Sequence, residues 1–187
     1  MKMKKAVAIL TLMTLLITGT TACSAGGGKP DYLIRASRDN GFVPAYRAYF
    51  AIKDDKLTKI SSYRFEKLLY GNSDYSMIPK EYYSFDVYAE TGEPSEWEYE
   101  QNKYNDTQYD EEILIGQLEE MGVSYTGNIY ILVTEFDDYA VIEVTDLEDD
   151  SSTIVSSSYG LFKDGRMLDL PDKIDLSSVD DFYRLAK

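Results

Sequence analysis

The chain has 187 residues, a net charge of −14, one cysteine and no histidine. The missing histidine excludes Ser–His–Asp and Cys–His catalytic arrangements and histidine-based zinc sites, so an enzyme would depend on carboxylates, tyrosine, serine or lysine. The acidic balance repels nucleic-acid phosphates, and we expect no nucleic-acid partner.

The N-terminus has the order of a secretory signal. Met1–Lys5 contains three lysines and no acid, Ala6–Ile17 is an apolar run of 12 residues, and Thr18–Ala22 consists of residues with small side chains. A membrane-spanning helix needs about 20 apolar residues, so the run is short for a retained span. We therefore expect a cleaved signal, with an uncleaved membrane anchor as the alternative.

Thr20-Thr21-Ala22-Cys23 resembles the lipobox of bacterial lipoproteins. The resemblance implies that Cys23 becomes the lipid-modified (palmitate-type) first residue of a protein held on the outer face of the bacterial cell membrane. Thr20 departs from the pattern, which usually has an aliphatic residue there. The alternative is ordinary cleavage near Ala22 or Ala25, giving a secreted protein with a free thiol.

This interpretation divides the chain into a signal at 1–22, a flexible tether at 23–30 and a single domain at 31–187. Removing the signal leaves 16 basic and 33 acidic residues, a net charge of −17. The charge is uneven, since residues 29–80 carry +4 and residues 81–150 carry −20. The acidic middle attracts a cationic partner or a metal ion, or it simply keeps an exported protein soluble.

Alternating apolar runs between turn residues predict strands in the first half of the domain. Ser61 or Ser62 is placed to cap a short helix with Phe65, Leu68 and Leu69 inward. Residues 71–79 are expected to form a loop. The predicted strands are Asp31–Ala36 (at a sheet edge), Ala45–Ile52, Leu57–Ile60, Tyr82–Ala89 and Glu96–Glu100.

The second half begins with the clearest helix. It starts at Thr107 or Asp110, places Leu114, Leu118 and Met121 on one face, and ends at Gly122. Because Asn128–Phe136 is apolar on both faces, it is expected to be a central strand. Further strands are predicted at Tyr139–Thr145, Thr153–Phe162 and Arg166–Leu170, the last two joined by a turn at Lys163–Gly165.

Ser177 is expected to cap a final short helix with Val179, Phe182 and Leu185 inside. Residues 49–57 and 159–167 are similar, and each precedes a Ser-Ser pair, which indicates two hairpins built alike or a duplicated half-domain. The predicted fold class is α+β, a mainly antiparallel sheet of about eight strands with two or three short helices.

Two groups of residues are candidate ligand sites. The acidic loop with Asp146, Glu148, Asp149 and Asp150 offers oxygen ligands for calcium, although its spacing does not match an EF-hand, and a solvated turn is the alternative. The aromatic residues Trp97, Tyr99, Tyr104 and Tyr109 lie among carboxylates and suit a glycan or a cationic peptide, or they form a buried strand face.

We expect a membrane-tethered binding or protein-interaction module that is not an enzyme, with a cationic peptide, a glycan or a protein as partner. No cofactor is predicted apart from the calcium alternative. An acidic sequestering protein for cationic peptides, similar to lantibiotic immunity lipoproteins in architecture alone, is the second hypothesis. A cell-wall hydrolase using paired carboxylates is the third.

Overall fold

The computed structural model describes residues 28–38, 46–102, 107–148, 153–170 and 179–185. Two α-helices occur within these ranges, α1 (Ser62–Tyr70) and α2 (Glu111–Met121), together with a short 3-10 turn at Pro94–Glu96. The strands are β1 (Tyr32–Arg38), β2 (Tyr46–Lys53), β3 (Lys56–Ile60), β4 (Tyr75–Met77), β5 (Glu81–Ala89), β6 (Glu98–Gln101), β7 (Gly127–Phe136), β8 (Tyr139–Leu147), β9 (Ile154–Lys163), β10 (Arg166–Met167) and β11 (Val179–Leu185).

The strands form two antiparallel sheets. The five-stranded sheet has the order β3-β2-β1-β11-β4, and the six-stranded sheet has the order β10-β9-β8-β7-β5-β6. The α+β class and the mainly antiparallel pairing are confirmed. The described residues contain eleven strands, more than the predicted total of about eight. The two without a predicted counterpart are β4, in a region expected to be loop, and β11, which was expected to be a helix.

Three buried clusters define the layers. The inter-sheet core joins one face of each sheet and includes Phe50, Phe136 and Phe182. The α2 core lies on the opposite face of the six-stranded sheet, where Leu114 and Leu118 of α2 pack against it. The α1 core lies on the outer face of the five-stranded sheet under Phe65 and Leu69. Each helix therefore covers the outer face of one sheet.

The predicted final helix is wrong, because Val179–Leu185 forms strand β11. A register shift pairs Arg35 with Asp181 but Ala36 with Val179, which leaves Asp180 as an extra residue. Val179 and Phe182 consequently both face the inter-sheet core, whereas Leu185 faces the α1 core. Because of the bulge and of burial on both faces, the buried apolar residues of β11 recur every three positions, as they would in a helix.

The predicted edge position of β1 is also wrong. β1 pairs with β2 on one side and with β11 on the other, so it is central in its sheet. The region expected to be only loop contains β4, which pairs with β11 through Tyr75, Ser76 and Met77. Both errors have one cause, since the shared partner β11 comes from the far end of the chain.

Several local predictions are confirmed. The Ser61 hydroxyl accepts a hydrogen bond from the Arg64 N–H (3.2 Å) and caps α1. β7 lies between β5 and β8, as its two apolar faces predicted. Both similar hairpins form, with positive φ at Asp54, Asp55, Asp164 and Gly165. In the part of the chain that the structure describes, α1 follows the first hairpin, whereas β11 is the next described element after the second.

Candidate functional site: an acidic cleft beside helix α2

A cleft of about 840 Å³ lies between the first turns of α2, the β7–β8 turn and the β9–β10 turn. We call it the acidic cleft, because every charged side chain among the described residues that line it is a carboxylate. Its size falls within the range of small-ligand sites in proteins. The carboxylates are those of Asp110, Glu112, Glu135, Asp137, Asp138 and Asp164.

Helix α2 supplies one wall of the cleft. Its N-cap Asp110 accepts hydrogen bonds from the N–H groups of Glu112 (2.9 Å) and Ile113 (3.3 Å). Leu114 and Leu118 are fully buried against the six-stranded sheet, and Gly122 ends the helix with a φ of 65°. The apolar face holds α2 on the sheet, and the cap places the acidic first turn at the cleft.

Two hairpin turns supply the opposite wall. Asp137 in the β7–β8 turn and Asp164 in the β9–β10 turn have positive φ values of 57° and 49°. The Asp164 N–H donates to the Asp138 carbonyl oxygen (3.1 Å), which ties the two turns together. Arg184 of β11 forms an ion pair with Asp137 from outside the cleft and offsets part of its charge.

Neutral hydrogen-bonding groups lie at the base of the cleft. The buried Tyr109 hydroxyl donates to Gln117 Oε1 (3.0 Å), and Gln101 Oε1 accepts from the Tyr109 N–H (3.0 Å). Burial raises the pKa of Tyr109 to about 12, so its hydroxyl keeps its proton at neutral pH. These bonds fix the ring of Tyr109 below the acidic walls.

Glu135 of β7 is a cleft carboxyl whose acidity is clearly altered. Burial raises its pKa, and the facing carboxylate of Glu81 raises it further, whereas a hydrogen bond with Tyr83 lowers it. Glu81 and Glu135 are directly opposite partners of β5 and β7, and the Tyr83 hydroxyl donates to Glu81 Oε2 (2.9 Å). A perturbed carboxyl in a cleft is a general indicator of a functional site.

The aromatic candidates lie mainly in the α2 core. Trp97 is buried and donates through Nε1 to the Thr91 carbonyl oxygen (2.9 Å), and the partly buried Tyr99 donates to the Pro94 carbonyl oxygen (2.7 Å). Their burial agrees with the core-packing alternative. Tyr109 is also buried but lines the acidic cleft. Tyr104 lies outside the described residues.

The calcium candidates are only partly described. Asp146 belongs to β8, where it pairs with Ser156, and Glu148 follows the strand. Asp149 and Asp150 lie outside the described residues. In the described ranges, no three acidic or cysteine side chains are grouped so that they could hold a metal ion. The calcium site remains a prediction.

Cys23 and the signal at 1–22 lie outside the described residues, so lipidation also remains a prediction. Neither α1 nor α2, the helices of the described part, has the length and apolar character needed to cross a membrane. Comparisons with known proteins found no matching family, no similar curated protein and no similar solved structure.

Sequence reasoning did not identify the cleft as a site. It interpreted Asp110 as a possible start of a helix, and it did not single out Glu135. The only available signal was the strong acidity of residues 81–150, and this signal does not show where in the fold the acidic side chains come together. The cleft forms because β7, β8 and β9 bring two turns to the same end of the sheet as the start of α2.

Proposed function

We propose that this protein is a lipid-anchored binding module on the outer face of the bacterial cell membrane, and that its acidic cleft takes a cationic ligand such as a lysine- or arginine-containing peptide. The observation that carries the proposal is the lining of the cleft, in which six carboxylates and no lysine or arginine occur among the described residues. Complementary charge favours both the approach and the orientation of such a ligand.

The arrangement of the carboxylates supports an extended cationic ligand. They lie at the start of α2, at the end of β7 and on two turns, so they suit several positive charges at a distance from one another. Gln117 and Tyr109 add neutral hydrogen-bonding atoms at the base. The lipobox-like segment ending at Cys23 supports the location at the membrane.

The proposal is tested by isothermal titration of the protein with a tetralysine peptide at about 20 mM salt and again at about 300 mM. Screening should weaken binding at the higher salt. The double variant Glu112→Gln/Asp138→Asn removes one carboxylate from each wall. Partly exposed charge pairs contribute about 0.2–1 kcal/mol each, so affinity should fall between about twofold and 30-fold.

The matched control is Glu119→Gln/Glu120→Gln, which makes the same change in net charge at the other end of α2, on exposed side chains outside the cleft. It should leave affinity within about twofold of the original. Absence of binding at low salt would refute the proposal. Equal weakening by both double variants would also refute it, because binding would then follow total charge and not the cleft.

A second candidate function is carboxylate-based hydrolysis of cell-wall polymer. It is favoured by Glu135, whose raised pKa and opposing partner Glu81 are typical of a general acid beside a second carboxylate. The test is release of new reducing ends or amines from purified cell wall by the protein and by Glu135→Gln. Release that disappears in the variant would support hydrolysis, and absence of release by the unaltered protein would exclude it.

A further inference from the structure

Acidic side chains are distributed unevenly over the molecule. The described residues between 81 and 148 contain eighteen acids and no lysine or arginine, and they build α2 and most of the six-stranded sheet. In contrast, α1 carries Arg64 and Lys67 with one acid, Glu66, and the neighbouring β2–β3 hairpin carries Lys53 and Lys56 on either side of Asp54 and Asp55. The α1 side is therefore mixed in charge with a small positive excess, whereas the α2 side is uniformly acidic.

The N-terminal segment enters the fold on that same side. Lys29 Nζ donates to Asn72 Oδ1 (2.8 Å), just beyond the end of α1. Gly28 lies against the Lys53 side chain. Four residues separate Gly28 from Cys23, and a chain of five residue steps spans at most about 18 Å.

The α1 side also exposes large aromatic and apolar side chains. Tyr63 and Tyr70 of α1 are 74% and 73% exposed, and Tyr75 and Met77 of β4 are also exposed. Tyrosine favours the boundary between water and lipid, where its ring and hydroxyl meet different surroundings. Basic residues beside such side chains are typical of surfaces that lie on anionic membranes.

We propose that the α1 surface, defined as Lys53, Lys56, Tyr63, Arg64, Lys67 and Tyr70, lies on anionic phospholipid headgroups. The inference uses the proposed anchor at Cys23 to bring this surface within reach of the bilayer. Because α1 and α2 cover opposite outer faces, this orientation directs the acidic cleft away from the membrane. The reverse orientation would press the cleft carboxylates against a surface of the same charge.

Orientation is measured on the full lipidated chain in vesicles containing about 30% phosphatidylglycerol. Lipidation occupies Cys23, the chain's one cysteine, so a new cysteine is the only free thiol. Tyr63→Cys on α1 and Ile113→Cys on α2 replace exposed side chains and are labelled with bimane. Spin-labelled headgroups should quench the label at 63 at least twofold more than at 113, whereas equal or stronger quenching at 113 would overturn the proposal.

Affinity for lipid is measured without the anchor. Every residue of the three buried cores lies between Leu33 and Leu185, so a chain beginning at Ser24 retains all core packing. This chain should sediment with phosphatidylglycerol vesicles and not with neutral phosphatidylcholine vesicles, and about 0.5 M salt should release it. Equal sedimentation with both vesicle types, or with neither, would overturn the proposal.

The variant Arg64→Ala/Lys67→Ala removes two cations from the α1 surface. One basic side chain near an anionic membrane contributes about 1 kcal/mol, or about fivefold in the partition coefficient, so the pair should weaken binding about 25-fold. The control Lys80→Ala/Arg166→Ala removes the same charge elsewhere, Arg166 lying in β10 beside α2. Equal loss in both variants would contradict a localised surface.

The two experiments separate failure of the anchor from failure of the surface. If mass spectrometry of the full chain finds Cys23 unmodified, the anchor proposal fails, while sedimentation of the anchor-free chain still decides whether the α1 surface binds lipid. If Cys23 is modified but the anchor-free chain does not bind phosphatidylglycerol vesicles, the anchor proposal is supported and the proposal for the α1 surface is refuted.

Discussion

Phe182 is the residue whose replacement most directly tests the stacking of the two sheets. Its side chain is fully buried in the inter-sheet core. The ring of Phe182 lies 5.0 Å from that of Phe136, 5.2 Å from that of Tyr139 and 5.5 Å from that of Tyr32, measured between centroids. It therefore links β11 to β1 within its own sheet and to β7 and β8 of the other sheet.

Phe182→Ala should destabilise the protein by about 4 kcal/mol. Buried Phe→Ala changes cost about 3–5 kcal/mol, because they remove apolar contact and leave a cavity. Three aromatic neighbours keep this site above the lower end of that range, since each such pair adds about 0.5–1.5 kcal/mol. For a chain of this size, Tm should fall by roughly 8–16 °C, given 2–4 °C per kcal/mol.

The assay is urea unfolding of the unaltered protein and three variants, with comparison of midpoints and slopes. Phe182→Leu keeps most of the volume but loses the aromatic pairs, and should cost about 1–2 kcal/mol. Tyr63→Ala, at a side chain 74% exposed, should stay within about 0.5 kcal/mol. A loss below about 1 kcal/mol for Phe182→Ala would refute the placement of this ring between the sheets.

Two further predictions concern the acidic cleft. Asp110→Ala should destabilise the protein by about 1 kcal/mol in urea unfolding, because it removes the N-cap bonds from the N–H groups of Glu112 and Ile113. Asp110→Asn keeps the accepting oxygen and should cost less than half as much. Equal losses in the two variants would show that the charge of Asp110, and not its capping bonds, is responsible. Glu135→Gln should stabilise the protein at pH 7.5 and have little effect near pH 4. The reason is that the pKa of Glu135 is raised in the folded state. The unaltered protein therefore loses stability as the pH rises from the unfolded-state pKa of about 4.3 through the folded-state pKa. The exposed Glu120→Gln is the control, and an equal or smaller gain from Glu135→Gln at pH 7.5 would contradict the burial of its carboxyl.

The sequence by itself determined the elements whose signals are local. Asp110, Leu114, Leu118 and Gly122 lie within one helix, and its cap, apolar face and end need no distant partner. The strands β7 and β8 and the turns at Asp54 and Asp164 follow equally from alternation and turn chemistry. The acidic middle, and with it the expectation of a cationic partner, is a property of composition.

Only the tertiary structure decided the role of β11 and the assembly of the acidic cleft. β11 joins β4 to the rest of the five-stranded sheet by pairing with both β1 and β4. Its bulge interrupts the alternation of buried and exposed residues by which a strand is recognised in a sequence. Glu135, Asp138 and Asp164 meet the start of α2 because long-range pairing sets the ends of β7, β8 and β9 side by side. Local periodicity shows which face of an element is apolar, but its neighbours are selected by packing between residues far apart in the chain.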